Sequence, residues 1–257
     1  MTAVKGFFGF IWKLYVGIIF VFFAILLYPF FFILLAVPAW KRSSFRLFVC
    51  WSWCMRLFCF YRIRKILDAE LPEGPYVIVS NHSSYLDIFV MHSLMSKHPF
   101  LFLGKGEILS YPIIRTYFKG LNIPVHRKDR AKAARSFGLA KKAVQEGWSL
   151  VIFPEGTIPD DGNPAMLPFK AGAFKLAKEL AVPIVPITFT NNFQLFSDPE
   201  RLFGPARPGV SRVYIHPFLS AEKVNELSEK ELLNTCFDTI NGPLIKEFPE
   251  LIRNVQR

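Results

Sequence analysis

Cysteine is scarce: Cys50, Cys54, Cys59 and Cys236 are the only four in 257 residues. Three of them share one apolar stretch, and none has a partner histidine at metal-ligand spacing. No disulfide framework follows, and the thiols read as small buried hydrophobes of a reducing compartment. An HExxH pattern is also missing. A metal site built on His82, Asp87 and His92 lacks the spacing of known ligand sets, so no metal is expected. Acidic residues are few, 20 against 31 Lys and Arg, for a net charge of +11. The deficit is sharpest between Lys97 and Lys142, where eleven basic residues face only Glu107 and Asp129. Such an excess attracts phosphate-bearing partners, or is a solvated helix face. No internal repeat and no low-complexity linker divides the chain.

Charge is absent altogether from Leu14 to Trp40. As helix those 27 residues would span roughly 40 Å, enough to cross a hydrocarbon core of about 30 Å. Pro29 falls near the middle and is expected to kink or break the helix. A second apolar stretch, 45–61, contains Arg46 and Arg56, which can snorkel to headgroups. Lys41, Arg42, Arg46, Arg62, Arg64 and Lys65 mark the segment ends. Two geometries follow: a bent hairpin in one leaflet, or a full span with an interfacial helix behind it. The proline and the basic ends favour the hairpin. The apolar run is too long, and the preceding charge too weak, for a cleaved signal peptide. Residues 1–65 are read as membrane-anchoring helices and 66–257 as a globular domain facing the cytosol. With such an anchor, nucleic acid is not an expected partner.

Beyond Lys65 short apolar runs alternate with helical stretches. Strands are expected at 76–79, 100–103, 123–126, 149–153, 182–189 and 213–217. Helices are expected at 85–94, 131–146 and 169–180, and from 222 onward; 108–118 reads as a helix or turn broken by Pro112. Non-alternating apolar strands between helices argue an α/β fold, a mostly parallel or mixed central sheet flanked by helices. Such folds place their sites in the loops at strand C-termini.

One of those loops carries the most informative residues. Asn81-His82-Ser83-Ser84-Tyr85-Leu86-Asp87 follows the first of these strands directly. The spacing lets Asp87 fold back onto the imidazole. A carboxylate on Nδ1 fixes the tautomer and leaves Nε2 to accept a proton, as in general-base activation of a hydroxyl. No serine or cysteine nucleophile is required. The simpler alternative is a helix start, with Ser83 or Ser84 as N-cap and Asp87 in the first turn, and the two roles are compatible. Three more blocks fall at or near strands: Gly120-Leu121-Asn122-Ile123-Pro124-Val125-His126-Arg127, Phe153-Pro154-Glu155-Gly156-Thr157, and Val182-Pro183-Ile184-Val185-Pro186-Ile187.

Each block alone is weak; their order and spacing are specific. Over about residues 70–190 they resemble the four motif blocks of the glycerolipid acyltransferase superfamily and, within it, the 1-acyl-glycerol-3-phosphate (lysophosphatidate) acyltransferases. The resemblance implies His82 as general base, Asp87 as its orienting partner, and direct transfer of an acyl group from a thioester. The donor would be acyl-CoA or acyl carrier protein, with no other cofactor, and the site would lie at the cytoplasmic face of the membrane. It further implies Arg127 on the acceptor phosphate, with Lys105 in support. Glu155, Gly156 and Thr157 would serve acceptor binding, Glu155 on a glycerol hydroxyl or a basic residue and the backbone after Gly156 on the oxyanion. The fourth block would wall an acyl tunnel. One departure stands out: after Thr157 many members continue Arg-Ser, whereas this chain has Ile158-Pro159. Lys170 would compensate for the lost charge, or the acceptor is another lysolipid. A membrane lipid-binding scaffold with an inert site is the alternative from another class.

Overall fold

In the computed structural model the described residues are 2–110, 112–125, 129–159 and 163–251. Helix α1 (Thr2–Ala36) and helix α2 (Lys41–Phe58) come first, joined by a short 3-10 turn at Pro38–Trp40. They are antiparallel: Trp12 Nε1 donates to Tyr61 Oη at 3.0 Å and Tyr15 Oη to Phe58 O at 2.8 Å, so the start of α1 lies beside the end of α2. Contrary to expectation, α1 runs unbroken through Pro29. Packing supplies the reason. The hydroxyl of Tyr117 donates to Ala24 O, next to the Ile25 carbonyl that Pro29 leaves without a helical N–H, and fully buried Phe31 sits 4.4 Å from the Phe48 ring and 5.0 Å from that of Tyr117. Neighbouring groups can thus hold a helix together across a proline. Helix α2 is two-faced. Phe45, Phe48, Trp51 and Met55 recur at three- and four-residue steps and are buried, while Trp53 and Leu57 remain exposed.

Next come strands β1 (Tyr61–Asp68) and β2 (Val77–Ser80), helix α3 (Leu86–Leu94) and strand β3 (Phe100–Lys105). After them follow helix α4 (Pro112–Leu121), strand β4 (Ile123–Val125), helix α5 (Arg130–Gln145) and strand β5 (Ser149–Ile152). The chain continues with helix α6 (Gly172–Leu180), strand β6 (Ile184–Phe189), the single turn α7 (Asn192–Leu195) and strand β7 (Gly209–Ile215). Helices α8 (Ala221–Glu226) and α9 (Glu229–Glu247) close it. The strands form one seven-stranded sheet in the order β1-β7-β6-β2-β5-β3-β4, parallel except for the β6–β7 pair. The α/β expectation therefore holds.

Strand β1 was not foreseen, and the expected boundary at residue 65 falls inside it. Its basic residues, read above as a membrane-segment end, sit on an edge strand that pairs parallel with β7. Charge on an edge strand discourages further pairing. Pro112 begins α4 instead of breaking a helix, because the first helical position needs no N–H partner. Helix α5 starts where Asp129 Oδ1 accepts from Lys132 N at 3.0 Å, and the chain turns away at Gly147, φ 81°.

Strand β2 is the centre of the site. It lies between β5 and β6, with Val79 level with Ile152 on one side and Pro186 on the other. All four of its residues are buried, as a strand covered on both faces requires. Strands β2, β3, β5 and β6 run parallel, so their C-terminal loops open on one edge.

Candidate active site

The loop after β2 is held from both sides. Asn81 Nδ2 donates to Phe189 O at 2.9 Å, and Phe189 N donates to Asn81 Oδ1 at 2.9 Å, so the end of β2 is pinned to the end of β6. The next residue, His82, enters the open edge of the sheet. Its ring stacks on Phe153 with centroids 4.1 Å apart and planes 15° from parallel. Its Nδ1 lies 3.1 Å from Asp87 Oδ2. An ionised carboxylate only accepts, so Nδ1 carries the proton and Nε2 carries the lone pair.

Asp87 is fully buried and saturated with donors. Oδ2 takes the His82 ring together with the Ser83 and Ser84 N–H groups at 2.8 and 2.9 Å. Oδ1 takes Asn192 Nδ2 at 2.7 Å. The carboxylate thus orients the imidazole and also satisfies N–H groups ahead of α3. Asp87 stands in the first turn of α3 as the helix-start reading expected, while the N-cap position falls on Tyr85 and not on Ser83 or Ser84. The hydroxyl of Ser84 adds a bond from Leu86 N at 3.0 Å.

Glu155 is 2% exposed, and both of its oxygens are spent on backbone. Oε1 accepts from His82 N at 2.8 Å and Oε2 from Leu167 N at 2.7 Å. Among the described residues its partners are these two backbone N–H groups, not a basic side chain. Burial raises its pKa to about 7; the two N–H donors pull it down and the nearby Asp87 charge adds to the rise. Glu155 therefore fastens the backbone of His82 to the loop after β5. Gly156, at φ 78°, turns the chain there and donates its own N–H to Phe153 O at 3.0 Å. Lys105, at the end of β3, donates to Thr157 Oγ1 at 3.0 Å, which joins two of the expected site residues. Lys170 lies further along the same loop. Its backbone N–H ties to Pro154 O at 3.0 Å, and its side chain is exposed. Arg127 lies outside the described residues.

His82, Lys105, Gly156 and Thr157 line one end of a cavity of about 1280 Å³ that continues between α1, α2 and α3. Its walls include Phe20, Trp51, Phe89 and Phe102, and its size exceeds the 300–1000 Å³ typical of small-molecule sites. Ile158, which stands where a cation was expected, is 8% exposed and lines the same cavity. His92, weighed above as a ligand, is sunk among Phe48, Phe100 and Phe102 at ring distances of 5.0–5.4 Å. Its Nδ1 bonds Ile88 O at 3.0 Å, and burial lowers its pKa to about 4. It is a neutral core histidine.

Two residues of the site were missed in the sequence. Phe153 was quoted only as part of its block, yet it is the platform under His82. Asn192 belongs to no block. Its one signal is position, the last of three polar residues, Thr190 to Asn192, directly after an apolar strand, where α/β folds collect their functional groups.

Fold and dyad together define an α/β protein in which a half-buried histidine, backed by a buried carboxylate, opens on a long apolar cavity. The Acyltransferase family model matches residues 41–190, more than half of the chain. The protein is 30% identical to the 1-acyl-sn-glycerol-3-phosphate acyltransferase of Saccharomyces cerevisiae over 207 residues, covering 74% of this chain and 67% of that one. It is 30% identical to the chloroplastic enzyme BAT2 of Brassica napus over 204 residues, 78% of this chain and 57% of the other. This chain belongs to the acyltransferase family, among the 1-acyl-sn-glycerol-3-phosphate acyltransferases. It spans about half the length of several curated relatives it matches, 50–57% of the plant and algal proteins. The fold also matches the crystal structure of the 1-acyl-sn-glycerophosphate (LPA) acyltransferase PlsC from Thermotoga maritima. The TM-score is 0.75 at 18% identity, over 96% of this chain and 97% of the other.

Proposed function

We propose that this chain transfers a fatty acyl group from a thioester, acyl-CoA or acyl carrier protein, to the sn-2 hydroxyl of 1-acyl-glycerol-3-phosphate, giving phosphatidic acid. The observation that carries the reading is the His82–Asp87 pair at the polar end of the apolar cavity. His82 Nε2 takes the proton of the acceptor hydroxyl as its oxygen bonds to the thioester carbon. The carbonyl electrons move onto oxygen and return as the C–S bond breaks. The imidazolium then gives its proton to the departing thiolate. No acyl-enzyme forms. Asp87 stabilises the transient imidazolium and keeps the ring in one orientation.

Gly156 N–H already closes a turn onto Phe153 O, so the Thr157 peptide is the next candidate donor to the oxyanion. Lys105, beside Thr157, supplies positive charge for the acceptor phosphate, in company with Arg127. The acyl chain lies in the cavity between α1, α2 and α3, and the fourth block, Val182 to Ile187, packs behind the site as sheet.

Membrane attachment belongs to the same reading. Among the described residues one helix, Val4–Ala36, is long and apolar enough to cross a bilayer; an 18-residue stretch within it has mean hydropathy 3.0 and is 17% buried. Packed antiparallel against α2, it suits a hairpin embedded in the cytoplasmic leaflet that anchors residues 1–65, with the catalytic domain on the cytosolic side. The lysolipid enters from the bilayer and the donor from water.

Ile158 in the cavity wall favours a second reading, in which the same chemistry serves a lysolipid acceptor with a less charged headgroup. The test is acyl transfer from a labelled long-chain acyl-CoA to a panel of lysolipids. Fastest product from lysophosphatidate supports the first reading. Product only from another lysolipid replaces it with the second, and no product with either type of donor overturns both.

A further inference from the structure

The loop 197–205, between α7 and β7, is far in sequence from α1 yet is fastened to it. Ser197 N donates to Pro205 O at 2.9 Å and closes the loop at its neck. Within it Arg201 N bonds Asp198 O at 3.0 Å and Gly204 N bonds Arg201 O at 2.7 Å. Lys13 of α1 is 9% exposed and donates its ammonium to two carbonyls of that turn, Asp198 O at 2.8 Å and Arg201 O at 2.5 Å. On the same face of α1 stand Gly9 and Gly6. A Cβ at Gly9 would lie 2.6 Å from Gly204 O, and one at Gly6 would lie 3.1 Å from Phe203 O. The helix has no side chain there because the loop backbone rests on it. An anchored lysine over two bare glycines makes the contact specific.

Such fixing leaves the loop's two largest apolar side chains on the outside. Leu202 is 55% and Phe203 65% exposed. They continue an apolar surface of α1 on which Phe7, Phe8 and Ile11 are 45–65% exposed, and the Phe203 ring lies 5.6 Å from that of Phe10. Basic side chains border the patch: Lys5, Arg201 and Arg207 are exposed. Against these three cations stands one exposed carboxylate, Glu200, so the margin of the patch is net positive, and apolar tips with such a margin suit the boundary between lipid headgroups and chains of an anionic bilayer. The same loop borders the site, since Asp198, Pro199, Glu200 and Leu202 line the cavity that holds His82.

We infer that the 197–205 loop is a second membrane-inserting element, a wedge from the catalytic domain that enters the same leaflet as α1. Its partner is the hydrocarbon margin of an anionic bilayer. By entering the leaflet it sets the cavity wall at headgroup depth, where a lysolipid can pass sideways into the site. This inference rests on the membrane reading above and adds to it a point of contact outside the N-terminal helices.

The experiment uses the full chain, with Cys50→Ser and Cys54→Ser, in vesicles of phosphatidylcholine and phosphatidylglycerol. Phe203→Cys carries an environment-sensitive thiol label, and Phe8→Cys is the reference on α1. The expected result is that both labels are quenched by nitroxides on the acyl chains and shielded from aqueous iodide. Iodide access at 203 with protection at 8 overturns the wedge and leaves the anchored helix standing. Iodide access at both positions overturns the membrane reading and the wedge with it. Shielding at 203 without nitroxide quenching, accompanied by cross-linked dimers, assigns the patch to a second copy and also overturns the inference. Phe203 does not line the cavity, so Phe203→Asp separates delivery from chemistry. We expect kcat/KM for a lysolipid presented in vesicles to fall about tenfold, with the rate toward a short-chain acceptor dissolved in water unchanged. Equal effects on both acceptors, or none, contradict it.

Discussion

Replacing Asn192 by leucine tests whether Asp87 is held by residues outside the recognised blocks. Asn192 and Asp87 are both fully buried, and a single 2.7 Å bond links Asn192 Nδ2 to Asp87 Oδ1. The amide orientation is dictated by chemistry, because a carboxylate oxygen needs a donor. The amide oxygen, Oδ1, has no partner among the described residues, so the asparagine serves through its N–H. Leucine fills a similar volume and strands only Asp87 Oδ1. A hydrogen bond to a charged group contributes about 1.5–3 kcal/mol, and leaving a buried acceptor bare costs at least as much. In the proposed mechanism most of that loss should reach the transition state, where Asp87 would stabilise the imidazolium. The expected outcome is a fall in kcat of about 10- to 100-fold, with the KM for the acyl donor little changed. Asn192→Asp should be worse at neutral pH, since two carboxylates would then meet at hydrogen-bond distance. The assay is steady-state acyl transfer in detergent micelles, with thermal unfolding measured beside it. Activity of Asn192→Leu within twofold of the wild type, in a normally folded protein, refutes the reasoning.

Glu155→Gln leaves one acceptor for two N–H groups, so the loop bearing His82 loosens from the loop after β5. With its pKa raised to about 7, wild-type Glu155 is itself protonated at lower pH and suffers the same shortage. The ratio of wild-type to variant activity should therefore be about tenfold or more at pH 8 and shrink toward pH 6; a ratio independent of pH contradicts the role. His92 is buried neutral with its pKa lowered to about 4. Its contribution to stability is complete above the unfolded value of about 6.5 and is lost as pH falls toward 4, by about 3 kcal/mol. His92→Phe should flatten that acid slope in thermal unfolding, against the background of His216, which has the same sign, and Glu155, which has the opposite one. Gly9→Ala places a Cβ 2.6 Å from Gly204 O, so it should destabilise the protein by about 1–3 kcal/mol; an unchanged melting temperature shows that the loop moves freely off α1.

What the sequence made legible follows from which forces act locally. Strands β2, β5 and β6 were readable because burial on both faces demands continuous apolar runs, and α5 because Gly147 permits the positive φ that ends it. His82 and Asp87 were readable because five residues of chain bring them together. Strand β1 was not, since its exposed, basic composition is also what a membrane-segment end looks like; only the alternation of Tyr61 and Ile63 with arginines hinted at a strand. The unbroken course of α1 through Pro29 depends on Phe31 and Tyr117, which meet only in three dimensions. Asn192 was invisible for the same reason: it lies 105 residues from its partner Asp87. Glu155 stood in a recognisable block, but its two backbone partners, His82 and Leu167, lie on different loops and become apparent only when the sheet aligns them.

The central claim is that His82 withdraws the proton from the acceptor during direct transfer. The measurement that meets it most directly is formation of phosphatidic acid from labelled acyl-CoA and lysophosphatidate by the wild type and by His82→Ala, in micelles, with the protein itself checked for bound label. The account predicts product with the wild type, a rate lower by about 10²- to 10⁴-fold in the variant, and no label on either protein. Undiminished product from His82→Ala, or a stoichiometric acyl-protein before the acceptor is added, would contradict it.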